Sequence, residues 1–320
     1  MSTPLRSLDA EPSPEFNTRC LEVHNAWTDG NKPLDEAIAE MTALRGEATV
    51  DGMVANQARA ETFLGIMYAY QGNLASSIQY FERARALFTQ VGNLRRIAIC
   101  DLNLGETYRY KGDFNRARQY FERAYEAHKE LDDRDNEATA LCNRGQMFLS
   151  LGDLDNAHED LTLAYSIVCE LPVENPNRDT LICEIHRSLT AVYIAQNRLD
   201  SALSEARAAY AIAERTQKPF DIGYANRAMG QVTTALCLAA VEDDGIASLD
   251  TYFQQANEAF REINAEGEVA RTMFEHAISL ARRGRRIMAA KKLQLAIVIF
   301  TRLGMIDDAA KAAEAQREML

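Results

Sequence analysis

Gly65-Ile-Met-Tyr-Ala-Tyr-Gln-Gly72 returns as Gly105-Glu-Thr-Tyr-Arg-Tyr-Lys-Gly112 and again as Gly145-Gln-Met-Phe-Leu-Ser-Leu-Gly152, a period of 40 residues taken twice. Tyr80-Phe-Glu-Arg-Ala84 recurs unchanged as Tyr120-Phe-Glu-Arg-Ala124. A period of this size marks a supersecondary unit that buries its apolar face only by stacking on copies of itself. Within the second unit, Ile97, Leu104 and Tyr108, then Phe114, Ala117, Phe121 and Ala124, recur at three- and four-residue steps. That spacing predicts two antiparallel helices, from about Leu94 to Tyr110 and from about Asp113 to Leu131. Gly112-Asp113 supplies the stop and the start: glycine takes the left-handed conformation, and aspartate accepts from the free N–H groups of the next helix. Gly105 costs about 1 kcal/mol in mid-helix relative to alanine. It is expected where the second helix crosses too closely for a side chain, with Ala117 and Ala124 facing it and Tyr108 and Phe121 filling the space between units.

Leu104-Gly105, Tyr108, Gly112, Ala117, Phe121 and Ala124 line up with Leu64-Gly65, Tyr68, Gly72, Ser77, Phe81 and Ala84, and with Arg144-Gly145, Phe148, Gly152, Ala157, Leu161 and Ala164. This pattern resembles the tetratricopeptide repeat, and its length resembles the longer-repeat branch that includes kinesin light chain. The resemblance implies an all-α, right-handed superhelical solenoid of six to seven helix pairs with a C-terminal capping helix. Residues 16–320 are expected to form this single domain behind a disordered leader at 1–15. A degenerate first repeat spans 16–46, around Trp27 and Gly30; strong repeats cover 56–165 and divergent ones 178–303. Asn197 replaces a turn glycine, an acidic insertion interrupts the array at Glu242-Asp-Asp-Gly245, and 306–319 form the cap.

The 47% hydrophobic content can build a continuous core, and the net charge of −12 argues against general nucleic-acid binding, which wants a basic face. Six cysteines show no Cys-x-x-Cys spacing and read as free thiols. No apolar run approaches the roughly 20 residues that span a bilayer, so a cytoplasmic chain without membrane insertion is expected. No His-x-x-x-His pair, phosphate-binding glycine loop or Gly-x-Ser-x-Gly elbow occurs. Neither an enzyme nor a cofactor or metal site is expected.

In the tetratricopeptide family, the first helix of each unit lines the hollow of the superhelix. Carried over by register, the resemblance assigns Arg59, Phe63 and Tyr70 to this face, then Asn103, Glu106, Arg109 and Tyr110, then Asn143 and Gln146. Arg187 follows, with Tyr224, Arg227 and Gln231, and Arg271, Glu275 and Arg282. Asparagines one repeat apart can hold a peptide backbone by donating and accepting at once. Arginines outnumber glutamates on this face, which suits an acidic segment or a C-terminal carboxylate. The expected function is a non-catalytic protein-interaction scaffold or adaptor that binds a peptide or partner helix. The alternative is a ligand- or peptide-sensing module of a bacterial signalling or transcription system. A third reading is self-association through a degenerate first unit that leaves Trp27 near an open end. Charge reversal at Arg187 and Arg227 is expected to weaken partner binding without unfolding the array.

Overall fold

The computed structural model describes residues 10–239 and 246–319; the leader at 1–9 and the insertion at 242–245 lie outside the described residues. The helices in chain order are α1 (Pro14–Thr28), α2 (Leu34–Val50), α3 (Val54–Gln71), α4 (Leu74–Val91), α5 (Leu94–Tyr110), α6 (Phe114–Glu130), α7 (Arg134–Leu151) and α8 (Leu154–Glu170). They continue as α9 (Arg178–Ala195), α10 (Leu199–Thr216), α11 (Pro219–Ala239), α12 (Ile246–Glu262), α13 (Glu266–Arg282), α14 (Arg286–Arg302) and α15 (Ile306–Met319). Seven antiparallel pairs stack side by side, and α15 closes the last of them. The chain is an all-α solenoid. Its first helix opens at Pro14, with the Ser13 hydroxyl accepting from the Phe16 N–H.

The hairpin turns follow the local chemistry. Asn73, Asn93 and Asp113 each cap the following helix by accepting an N–H three residues on, at 3.0–3.2 Å. Gly112 stands at φ +80°, and Asn197 takes the same turn at φ +57°. Asparagine is among the few L residues that tolerate that region, so the missing glycine does not break the repeat.

Each unit is then locked by one close approach. A Cβ on Gly105 would sit 2.6 Å from the Phe121 ring, and one on Gly65 would sit 2.6 Å from Phe81. The sequence pattern placed Ala117 and Ala124 against Gly105 and put Phe121 between units. In the fold Phe121 itself lies on Gly105, inside its own hairpin, because the absent side chain makes a slot for the ring. The same arrangement recurs at Gly230 with Phe253 and at Gly223 with Phe260, where the repeat is hard to see in the sequence.

The solenoid curves until its ends meet. The Trp27 indole N–H donates to the Ile263 carbonyl at 2.8 Å, across 236 residues of chain. Leu74 belongs to the same apolar cluster as Phe300, Leu303 and Met305. Trp27 is fully buried and packs edge-on to Tyr70 and Phe220. It does not mark an open end, and the self-association reading loses the residue it rested on.

Replacing Gly105 with alanine tests the close approach. Helix propensity alone would stabilise this variant by about 1 kcal/mol, whereas overpacking against Phe121 typically costs about 1–3 kcal/mol. We expect a net loss in urea denaturation, partly recovered when Phe121→Leu is added. A Gly105→Ala chain more stable than the parent would show that the slot is not tight.

Candidate functional site: the closed hollow

The residues that line the hollow come from α3, α5, α7, α9, α11, α13 and α15. Because the ends of the superhelix meet, these helices face one another across a confined space, and their charges find partners there. On α5, Arg109 grips Glu106 with two hydrogen bonds of 2.5 and 2.8 Å. On α13, Glu268 accepts from Arg227 of α11 at 2.7 Å and from Arg271 at 2.7 Å. Arg271 also reaches Asp308 of the capping helix at 2.9 Å and lies 4.2 Å over the Tyr110 ring. On α9, Arg187 contacts Glu184 at 3.4 Å and covers Tyr224 at 4.6 Å, while Gln146 donates to Glu184 at 3.0 Å.

The arginine stripe is therefore not a free positive surface. Arg109, Arg187, Arg227 and Arg271 each face a carboxylate of their own chain. The partners Glu184, Glu268 and Asp308 escaped the sequence reading, although a signal was present. Glu106-x-x-Arg109, Glu184-x-x-Arg187 and Glu268-x-x-Arg271 repeat one motif on three inner helices, and residues three apart are neighbours on a helix surface. Arg227 is only 7% exposed. Reversing its charge would bury two carboxylates together, so this substitution disrupts the fold and does not isolate binding.

The remaining candidates separate by location. Arg59 lies towards the N-terminal end, donating to Asn17 Oδ1 at 2.8 Å and covering Phe63 at 4.1 Å. Burial, and then the nearby Arg96, lower its pKa to about 10. Phe63 is a core residue, 5.2 Å from His24. Tyr70 packs 5.0 Å from Phe220 and fills the hollow between Trp27 and Phe220. Burial raises its hydroxyl pKa, and Glu184 and Glu268 add to the effect. The two asparagines do not form a ladder: Asn103 donates back to the Ile99 carbonyl at 2.8 Å, while half-buried Asn143 makes no hydrogen bond.

Two adjoining cavities are left. One, of about 350 Å³, is lined by Arg109, Gln146, Arg187, Arg227 and Arg271 with Phe274 and Lys311. The other, of about 610 Å³, runs along Ile194, Ala195, Thr234, Ile278, Ser279 and Arg282. They share Ala191, Gln231 and Glu275, so they meet at these three side chains. A larger space of about 750 Å³ lies at the hairpin turns around Gly72 and Leu303, where the ends of the solenoid touch. It is outside the hollow, and its Glu266 and Arg302 pair with each other.

Glu275 differs from the other carboxylates. It makes no ion pair and is held by Gln231 alone, and burial raises its pKa above the ordinary range. Across the same cavity, the buried Arg187 Nε has no hydrogen-bond partner. A carboxylate without a counter-charge and a guanidinium nitrogen without an acceptor thus line the same cavity. Glu268 is the opposite case. Burial alone would raise its pKa, but Arg227 and Arg271 outweigh burial and hold it down at about 2.

A carboxyl held below its ordinary value contributes stability that is complete above about pH 4.5 and is lost as pH falls through that range towards 2. Glu268→Gln removes this part of the acid limb and leaves Arg227 buried without its counter-charge. The expected loss at neutral pH is roughly 3–5 kcal/mol, with a flatter stability curve below pH 4.5. Urea denaturation across that pH range measures both, and a variant that overlays the parent would remove the network from the fold's energetics.

Comparison with known proteins agrees with this architecture. The tetratricopeptide repeat model matches residues 56–130 and 96–170. No curated protein matches the sequence. The chain is similar in structure to the apo form of RapI, at TM-score 0.62 and 17% identity over 90% of this chain and 98% of that one. It is similar to the Rap conjugation gene regulator of plasmid pLS20 in complex with the Phr* peptide, at TM-score 0.59 and 14% identity over 97% of each chain. A Rap protein complexed with competence and sporulation factor gives TM-score 0.58 and 12% identity over 96% of this chain and 98% of that one. Repeats, hairpin stacking and these likenesses agree: the chain carries tetratricopeptide repeats over residues 56–170 and shares the stacked-hairpin fold of these structures along its length.

Proposed function

We propose that the chain is a peptide-binding regulatory module whose closed hollow receives a short extended segment, and that it acts by binding and not by catalysis. The observation that carries this reading is the lining of the smaller cavity, where Glu275 has Gln231 but no cation beside it and Arg187 Nε has no hydrogen-bond partner. Unpaired polar groups in a buried site are costly to the free protein. A ligand that satisfies both recovers that cost. The similar structures of a Rap regulator in complex with the Phr* peptide and of a Rap protein complexed with competence and sporulation factor support the reading, since those proteins hold their ligands on a similar fold.

The size of the hollow favours the sensing module over an adaptor that clasps a partner helix. An α-helix with its side chains is about 10–12 Å across, while the two cavities left in the hollow hold about 610 and 350 Å³. The ligand chemistry also shifts. An acidic group or C-terminal carboxylate fits Arg187, whose hold on Glu184 is the longest of the hollow's arginine–carboxylate contacts at 3.4 Å. Glu275 in turn suits a basic side chain or an N-terminal ammonium, and Ile194 and Ile278 offer apolar cover beside it.

Thermal-shift measurements with short peptides test this. A ligand at 100 times its Kd stabilises the folded state by about 2.7 kcal/mol. Because the folded state holds the Glu275 proton more tightly than the unfolded chain, this residue lowers stability as pH rises above about 4.5. Glu275→Gln is expected to stabilise the ligand-free protein at neutral pH while abolishing the shift given by peptides with a basic group. Arg187→Gln should spare that shift and reduce the one given by peptides with a free carboxylate. Peptide shifts that are equal in all three proteins would place binding outside the hollow.

A further inference from the structure

The outward faces of the second helices differ sharply along the array. On α6, Asn115, Gln119, Glu122, Arg123 and Glu126 point outward, all polar and of mixed charge. Counted from the turn glycines Gly112 and Gly284, the equivalent positions on α14 are Ile287, Lys291, Gln294, Leu295 and Val298. Ile287 is 76% exposed, Leu295 55% and Val298 54%. They fall at helical steps and make one apolar stripe on a helix whose other side is already buried in the last unit. Around them cations prevail, although Arg283 and Arg285 pair with Asp250 and Arg302 with Glu266. Residues 276–306 contain seven lysines and arginines and no aspartate or glutamate, in a chain of net charge −12. Among the described residues Arg286 and Lys291 have no ion-pair partner.

The opposite arrangement stands on α8. Residues 145–177 contain six aspartates and glutamates and no lysine or arginine. Its outward positions, equivalent to the five on α14, are Asp155, Glu159, Thr162, Leu163 and Ser166, with Leu163 42% exposed. Asp155 and Glu159 make no ion pair.

We propose that the basic, apolar face of α14 docks on the acidic, apolar face of α8 in a second copy of this chain. Pairing α14 with α14 would set like charges against each other, which complementarity at an interface avoids. The contact joins two different faces, so it propagates into chains, closes as a ring, or forms a reciprocal dimer if both faces of one copy meet both of the other. This interface is independent of the hollow, so failure of peptide binding leaves it standing.

Sedimentation velocity on the full chain tests it. The weight-average mass should rise above that of one chain with concentration at low salt and fall back in about 0.5 M salt, where charges are screened beyond a few ångströms. Leu295→Glu with Val298→Glu breaks one face, and Asp155→Lys with Glu159→Lys breaks the other. Each double variant alone should be monomeric, and a mixture of the two should give a 1:1 complex, since each retains the face that the other has lost. All four sites are on the surface, and circular dichroism confirms that each variant is folded. A parent chain that stays monomeric at every concentration overturns the proposal. So does assembly that survives both double variants. A monomer that instead binds phosphatidylserine vesicles through α14 also overturns it and assigns the face to an anionic membrane.

Discussion

Burying charge is tolerable only when each charge is met, and that constraint organises the interior of this protein. Removing an ion from water costs several kcal/mol even after the protein relaxes. As the hairpins curve and the ends of the solenoid meet, inner-face side chains that would face solvent in an open array lose it. Arg227, Arg271, Glu268 and Asp308 come from three helices and settle as one network. The superhelix can close because these pairs form, and the pairs hold because it closes.

Closure has an upstream cause in small residues. Wherever a glycine on the first helix admits a phenylalanine of the second, the hairpin pinches to a fixed geometry, as at Gly65 with Phe81 and Gly105 with Phe121. Repetition of that geometry sets the curvature. The Trp27 indole then finds the Ile263 carbonyl, and the degenerate first unit becomes the keystone of the ring. Stability, shape and the size of the hollow follow from the same contacts, so a ligand must fit the space that closure leaves.

The repeat itself was legible because its physics is local. Turn glycines, capping asparagines and apolar periodicity act within a few residues, and Gly112, Asn73 and Asp113 show their roles in sequence order. The lining of the hollow was legible only by register: Gln146, Arg187, Gln231 and Arg271 reach the cavities, whereas Phe63 and Tyr70 pack into the core. The partner of each arginine was harder to foresee. Glu268 serves Arg271 within one helix but also Arg227 from another unit, and only the second contact makes it central.

By itself the sequence determined the all-α repeat, the hairpin boundaries and which helices face inward, since these depend on contacts close along the chain. Only the tertiary structure decided that the trough is closed, that Glu268 also serves Arg227 from another helix, and that Glu275 is left without an ion pair and Arg187 Nε without an acceptor. Closure depends on groups more than a hundred residues apart, such as Trp27 and Ile263, and on the number of units needed to complete one turn. No local pattern encodes that number: it is the sum of small rotations, and it appears only when the last hairpin meets the first.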